Sequence, residues 1–228
     1  MQISEIYQSV QGEGEFTGVP SVFVRTTGCN LRCWFCDTPF TSWNPEGSSQ
    51  SVEQVLKHVT ALGIEHVVVT GGEPLLLPDI VPLTAELRSR GHFVTVETAG
   101  TVFREAAADL MSISPKLANS TPPPERSLVW SQRHEEVRHQ PDVIRRLISE
   151  SSYQFKFVID APIDVVDVER WLTEFSEIDR SRVWLMPQAT TREELAAKTD
   201  WIEQAAQTSG FRFTSRLHIE QFGNARGY

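Results

Sequence analysis

The 228-residue sequence lacks a fourth cysteine, a surplus of basic residues and any long apolar run. Each absence excludes something. Three cysteines make a poor disulfide framework, so a reducing, cytoplasmic setting is the expectation. Lys and Arg number 21 against 30 Asp and Glu, a net charge of −9. That argues against a nucleic-acid partner, which would call for a basic face. No apolar run approaches the roughly 18 residues of a membrane span. The opening "MQISEIYQSVQGEGEF" has neither the basic start nor the apolar core of a signal peptide. No membrane partner is expected, and no internal repeat or low-complexity tract is present.

Apolar residues make up 40% of the chain, enough for a sizeable core. Short β-branched or aromatic runs alternate with helical patterns. The strand candidates are 21–26, 66–70, 92–97, 110–114, 154–159 and 182–186. Several are nearly continuous apolar runs, as parallel strands covered on both faces require. Between them, "SVEQVLKHVTAL" pairs Ser51 with Gln54 as a capping box and sets Val52, Val55, Leu56, Val59 and Leu62 on one face. "PDIVPLTAELRSRG" ends on a C′ glycine, Gly91. "VVDVERWLTEF" and "REELAAKTDWIEQAAQTSG" read as two further helices. Residues 119–140, rich in proline and mixed charge, read as an irregular surface excursion, with a helix resuming near Asp142. Repeated βα units predict one α/β domain over 1–228 with a parallel sheet. A partial (βα)6 barrel and an open doubly wound sheet both fit, and both put the site at the strand C-termini.

All three cysteines, Cys29, Cys33 and Cys36, fall in "CNLRCWFC". Structural zinc and structural iron–sulfur sites each ordinarily take four protein ligands. Three thiolates in a CxxxCxxC loop can hold a 4Fe–4S cubane and leave one iron open, which suits chemistry better than scaffolding. A zinc site completed by a distant residue is the competing reading. "TGGEP" (70–74), "ETAG" (97–100), "SPK" (114–116) and "MPQ" (186–188) follow four other strands, so five polar loops converge on one mouth. Gly71 and Gly72 would let backbone approach a ligand, and Glu73 would accept from an ammonium group.

CxxxCxxC with Phe35 before its last cysteine resembles the cluster loop of radical S-adenosylmethionine (SAM) enzymes. The stretch "QSVQGEGEFTGVPSVFVRTTGCNLRCWFCDT" narrows the resemblance to the 7-carboxy-7-deazaguanine synthase family. It resumes at "VTGGEPLL", "ETAGT", "ISPK", "FKFVI" and "RLHIEQFGNARG". The resemblance implies a partial (βα)6 TIM-like barrel of the radical SAM type. It also implies a lyase contracting 6-carboxy-5,6,7,8-tetrahydropterin to 7-carboxy-7-deazaguanine with loss of ammonia, in queuosine-type 7-deazapurine biosynthesis. The cofactors implied are a 4Fe–4S cluster on Cys29, Cys33 and Cys36, SAM, and Mg2+ on Thr38. SAM would contact Phe35, Cys36, Asp37, Gly72, Glu73, Ser114, Pro115, Lys116, Met186, Pro187, Gln188 and Ala189. The pterin would meet Val10, Gln11, Gly12, Glu13, Arg25, Thr70, Glu97 and the terminal carboxylate of Tyr228. An electron donor such as flavodoxin or ferredoxin and a homodimer are implied as well.

The chain departs from the family pattern at Ala99, at Phe222-Gly223, and at 119–140, which has no counterpart. Of six histidines only His218 invites inspection. Two other readings are a glycyl-radical activase, which would need a groove for a peptide loop, and a non-catalytic zinc or iron–sulfur module.

Overall fold

The computed structural model describes residues 1–227. Strand β1 (Gln2–Val10) pairs antiparallel with β2 (Pro20–Thr26) and with the short β3 (Ser48–Ser49). Then come α1 (Val52–Leu62), β4 (His66–Gly71), α2 (Ile80–Ser89), β5 (Phe93–Thr98) and β6 (Leu110–Ile113). Helices α3 (Leu128–Val137) and α4 (Pro141–Glu150) lead to β7 (Tyr153–Ile159), α5 (Pro162–Leu172) and β8 (Val183–Pro187). The chain closes with α6 (Arg192–Ser209), β9 (Arg212–Phe213) and α7 (Leu217–Phe222). The sheet order is β3-β1-β2-β4-β5-β6-β7-β8-β9, parallel from β2 onward.

All six expected strands are present, as β2 and β4 to β8. The capping box of α1 forms as expected: Gln54 N donates to Ser51 Oγ at 3.2 Å and Ser51 N to Gln54 Oε1 at 2.8 Å. One expectation needs correction: the stretch 119–140 is not irregular throughout, since it carries α3, capped by Ser127 Oγ on Trp130 N. Near the C-terminus the chain forms the helix α7, held in the core through Ile219.

Side chains alternate along every parallel strand. Val67, Val69, Val94, Val96, Met111, Ile113, Phe155, Phe157, Ile159, Val183 and Leu185 pack outward in the core beneath the helices. The opposite faces carry Arg25, Thr70, Glu97, Ser112, Lys156 and Met186, all lining one cavity with Tyr7 of β1. A flat sheet would hold β1 and β8 about 30 Å apart at the usual strand spacing. Sharing one cavity requires the sheet to curl, so the architecture is the partial (βα)6 barrel and not an open doubly wound sheet. At its N-terminal end His66 bridges Ser21 Oγ and Thr95 Oγ1, each at 2.8 Å. The cavity opens at the other end, where the strands finish.

Candidate active site

The cysteine loop leaves β2 after Thr26 and is tied to neighbouring turns by backbone bonds. Gly28 N donates to Thr41 O at 2.8 Å, and Glu73 N to Gly28 O at 2.9 Å. Here the two glycines of "TGG" find their use. A Cβ on Gly71 would lie 2.2 Å from Thr26 O, and one on Gly72 would lie 2.2 Å from Gly28 O. Gly71 also has φ of +143°, which side chains rarely tolerate. The close approach is of backbone to backbone, and both glycines also line the cavity.

Cys29, Cys33 and Cys36 are free thiols that all line the cavity. Burial pushes the Cys29 and Cys33 thiols up to about 12. Such thiols ionise only against a cation, which a bound metal cluster would provide. Cys36 Sγ lies 3.2 Å from Ser42 Oγ and 3.8 Å from Thr38 Oγ1. Among the described residues no three of His, Cys, Asp and Glu close around a single point, as mononuclear zinc would need. Three thiolates spaced around a cubane each bind a different iron, so the donor set fits the cluster.

Beside this loop lies a buried polar network. Lys156 Nζ lies 2.9 Å from both Glu13 Oε2 and Glu97 Oε1. Glu97 also accepts from Thr70 Oγ1 at 2.9 Å and Gln11 Nε2 at 3.3 Å. Arg216 holds Glu13 at 3.1 Å and reaches Asp37 and the Ala189 carbonyl. Burial alone would raise the Glu13 and Glu97 carboxyls. Burial is the largest single influence, but Lys156 together with Arg216 at Glu13, and Lys156 together with Thr70 at Glu97, outweigh it and hold each below the usual range. Asp37 is lowered despite burial by Arg216 in the same way. Arg25 pairs with Glu5 at 2.7 Å and with the Tyr7 hydroxyl, which engages two of its three nitrogens.

A model of the radical SAM superfamily matches residues 23–118. Over 226 residues the chain is 46% identical to the 7-carboxy-7-deazaguanine synthase of Rhodopirellula baltica, covering 99% of this chain and 88% of that one. It is 42% identical to the synthase of Halobacterium salinarum, over 99% of this chain and 91% of that one. The chain belongs to the 7-carboxy-7-deazaguanine synthase family. It is thus a radical SAM enzyme, and the family's cofactors are a 4Fe–4S cluster and SAM. Two solved structures share the fold. QueE from Escherichia coli has a TM-score of 0.71 at 24% identity, covering 95% of this chain and 94% of that one. SAM-bound SuiB from Streptococcus suis has a TM-score of 0.58 at 14% identity, over 88% of this chain and 51% of that one. Membership sets aside both the activase and the non-catalytic module.

Most residues expected in the family's site line this cavity: Val10, Gln11, Gly12, Glu13, Arg25, Phe35, Asp37, Thr38, Thr70, Gly72, Glu97, Ser114, Lys116, Met186 and Gln188. Four do not. Pro115 and Pro187 stay off the wall, and Ala189 is buried in a small cluster with Leu195 and Ile219. Glu73 is also buried, its carboxylate accepting from Thr98 Oγ1, Ala99 N and Leu75 N at 2.8–3.0 Å. Its acceptor capacity goes to joining the loops after β4 and β5, so it does not face an ammonium group. Burial raises its carboxyl above the usual value. Lys116 Nζ turns onto Ser114 O and Oγ, both at 2.7 Å. Tyr228 lies outside the described residues, although residues 224–227 line the mouth.

Sequence reasoning missed Glu5, Tyr7, Lys156 and Arg216, all on the wall. Lys156 carried a signal: a charge in the middle of the apolar run "QFKFVI". Arg216 carried none. His218 also lines the wall, and a Cβ on Gly12 would stand 2.1 Å from its Nδ1.

Proposed function

We propose that this chain contracts 6-carboxy-5,6,7,8-tetrahydropterin to 7-carboxy-7-deazaguanine, releasing ammonia. The observation that carries the reading is one cavity of about 250 Å³ holding both the three-thiol loop and the Gln11–Glu13–Arg25–Thr70–Glu97 wall. Cys29, Cys33 and Cys36 hold the cluster. Phe35, Asp37, Gly72, Ser114, Lys116, Met186 and Gln188 contact SAM. Together, cluster and SAM supply the 5′-deoxyadenosyl radical.

The remaining roles belong to the chain. Glu13 and Glu97, kept ionised beside Lys156, accept from the paired N–H donors of the pterin's aminopyrimidinone edge. Gln11 orients Glu97 and offers a further acceptor. Arg25 holds the substrate carboxylate, a group its fork matches. Thr38 would offer one hydroxyl oxygen ligand to Mg2+. A small redox protein of the flavodoxin or ferredoxin class as electron donor, a homodimeric assembly and a cytoplasmic setting complete the proposal. No helix among the described residues is long and apolar enough to cross a membrane.

The test is anaerobic incubation of reconstituted protein with the pterin, SAM and dithionite, followed by mass analysis. The deazaguanine product is expected. Reductive cleavage of SAM without product would reject this substrate. Each of Cys29→Ala, Cys33→Ala and Cys36→Ala should abolish SAM cleavage, and full activity in any one would reject the cluster assignment.

A further inference from the structure

We propose that the segment 117–138 clamps the cysteine loop, with His134 as its positioning residue. The inference rests on reading the three cysteines as cluster ligands.

Helix α3 is unusual in what it buries. Leu128 and Val129 stand 58% and 72% exposed, while the only buried residue of the helix is His134. An apolar face therefore does not place this helix; a polar contact does. Arg32, immediately before Cys33, donates its backbone N–H to His134 Nδ1 at 3.2 Å. On the other side of the ring, Nε2 lies 2.9 Å from Ser120 Oγ. That hydroxyl donates to Leu117 O at 2.6 Å, so it accepts from Nε2–H. Both neighbours therefore demand the neutral imidazole with its proton on Nε2. Burial lowers the His134 pKa to about 4, which keeps the ring neutral.

The same segment takes up further loop groups. Trp34 N donates to Ser120 O at 3.1 Å, and Trp34 Nε1 to Asn119 O at 2.7 Å. Arg126 Nη1 donates to Trp34 O at 3.2 Å, and its guanidinium lies 3.7 Å from the Trp43 ring. Arg32 donates through Nη1 to Cys29 O and Leu31 O, each at 2.7 Å, while stacking 4.0 Å from the Trp130 ring. The loop has no ladder of its own along this stretch. The Arg32 and Trp34 amides and the Trp34 carbonyl are met from 120–134, and the sulfurs keep facing the cavity. Fixing the spacing of the ligands in advance lowers the ordering cost of holding a cluster. His134 touches neither sulfur nor substrate; it acts through the Arg32 amide.

The test is chelation of iron from the anaerobically loaded full chain, followed by the visible absorbance of the cluster and the paramagnetic resonance spectrum of its reduced form. Removing a residue that orients metal ligands typically costs about 10- to 100-fold. His134→Ala should lose its cluster faster by about that factor and shift the spectrum. His134→Asn should restore both, because Asn Oδ1 sits where Nδ1 accepts from the Arg32 amide. Trp130→Ala, a change at a half-buried position outside the main core, should speed loss in the same direction. Urea unfolding of the cluster-free chain separates clamp from core: a clamp moves the chelation rate in Trp130→Ala and leaves that midpoint in place. If His134→Ala does not fold, Trp130→Ala decides alone. Wild-type chelation rates in a loaded His134→Ala or Trp130→Ala, or failure of Asn to restore the rate, would overturn the clamp. A wild-type chain that takes up no cluster would overturn the ligand reading and the clamp with it.

Discussion

Lys156 is 3% exposed and stands 2.9 Å from each of two carboxylates. Burial works against its charge, but Glu13 and Glu97 outweigh burial and raise its pKa. Removing one member of such a buried set leaves uncompensated charge and costs about 3–5 kcal/mol. Lys156→Met should therefore destabilise the cluster-free chain by about that much in urea titration and abolish pterin binding. Adding Glu97→Gln should recover part of the stability, because it removes one of the stranded carboxylates. Additive losses in the double variant would contradict this coupling. A second prediction concerns Thr38, whose Oγ1 lies 3.8 Å from Cys36 Sγ and 3.4 Å from Thr41 Oγ1. Thr38→Ala should keep cluster absorbance and SAM binding and lose magnesium stimulation of turnover. Unchanged magnesium dependence would assign the ion elsewhere.

Elements meet the site through their ends, and the tightest meeting is between the loop after β1 and α7. Leu217 N donates to Gly12 O at 3.0 Å. A Cβ at residue 12 would lie 2.1 Å from His218 Nδ1 and 3.1 Å from the His218 backbone nitrogen. Gly12→Ala therefore has to displace the His218 ring and crowd the start of α7, an overpacking change that typically costs about 1–3 kcal/mol. It should weaken pterin affinity while leaving cluster content intact, since the cysteine loop lies on other elements. Calorimetric titration with the pterin and iron analysis check the two halves. The parallel strands were legible because their outward residues are uniformly apolar and mostly β-branched or aromatic. Strand β1 was not, because "QISEIYQSV" is polar and only half-covered; β3 and β9, two residues each, exist through pairing rather than propensity. Helix α3 was illegible because a histidine places it, and α7 because one buried isoleucine gives no period to read. At the site, the cysteines were legible from spacing alone. Glu73 was misplaced because its sequence does not reveal that Thr98 and Ala99 supply its donors.

The barrel is incomplete, and charge helps to close it: Arg216, after β9, reaches Glu13 from the loop after β1 and Asp37 from the cysteine loop. This makes the whole molecule sensitive to acid in two steps. Burial lowers three histidines from the ordinary value of 6.5. At His66, Glu97 opposes the shift. Around His134, Glu135 opposes it, while Arg138 and Lys116 assist. Around His218, Arg216 assists, while Glu13, Asp37 and Glu97 oppose. A group with a depressed folded pKa gives stability that is fully present above its unfolded value and is lost as pH falls toward the folded one. The first loss thus begins as pH drops through 6.5 and continues to about 4, the His134 value. The second step begins as pH falls through the ordinary carboxyl values, 4.5 for Glu and 3.8 for Asp. There Glu13, Glu97 and Asp37, lowered by Lys156 and Arg216, cease to favour the folded state. Glu73 works in the opposite sense, because its raised carboxyl takes up a proton more readily when folded. The urea midpoint of the cluster-free chain should hence fall as pH drops from 6.5 toward 4, before the carboxylates titrate. His134→Asn should flatten that first step and leave the second unchanged. A midpoint constant across the histidine range would mean that these imidazoles are not held neutral by burial.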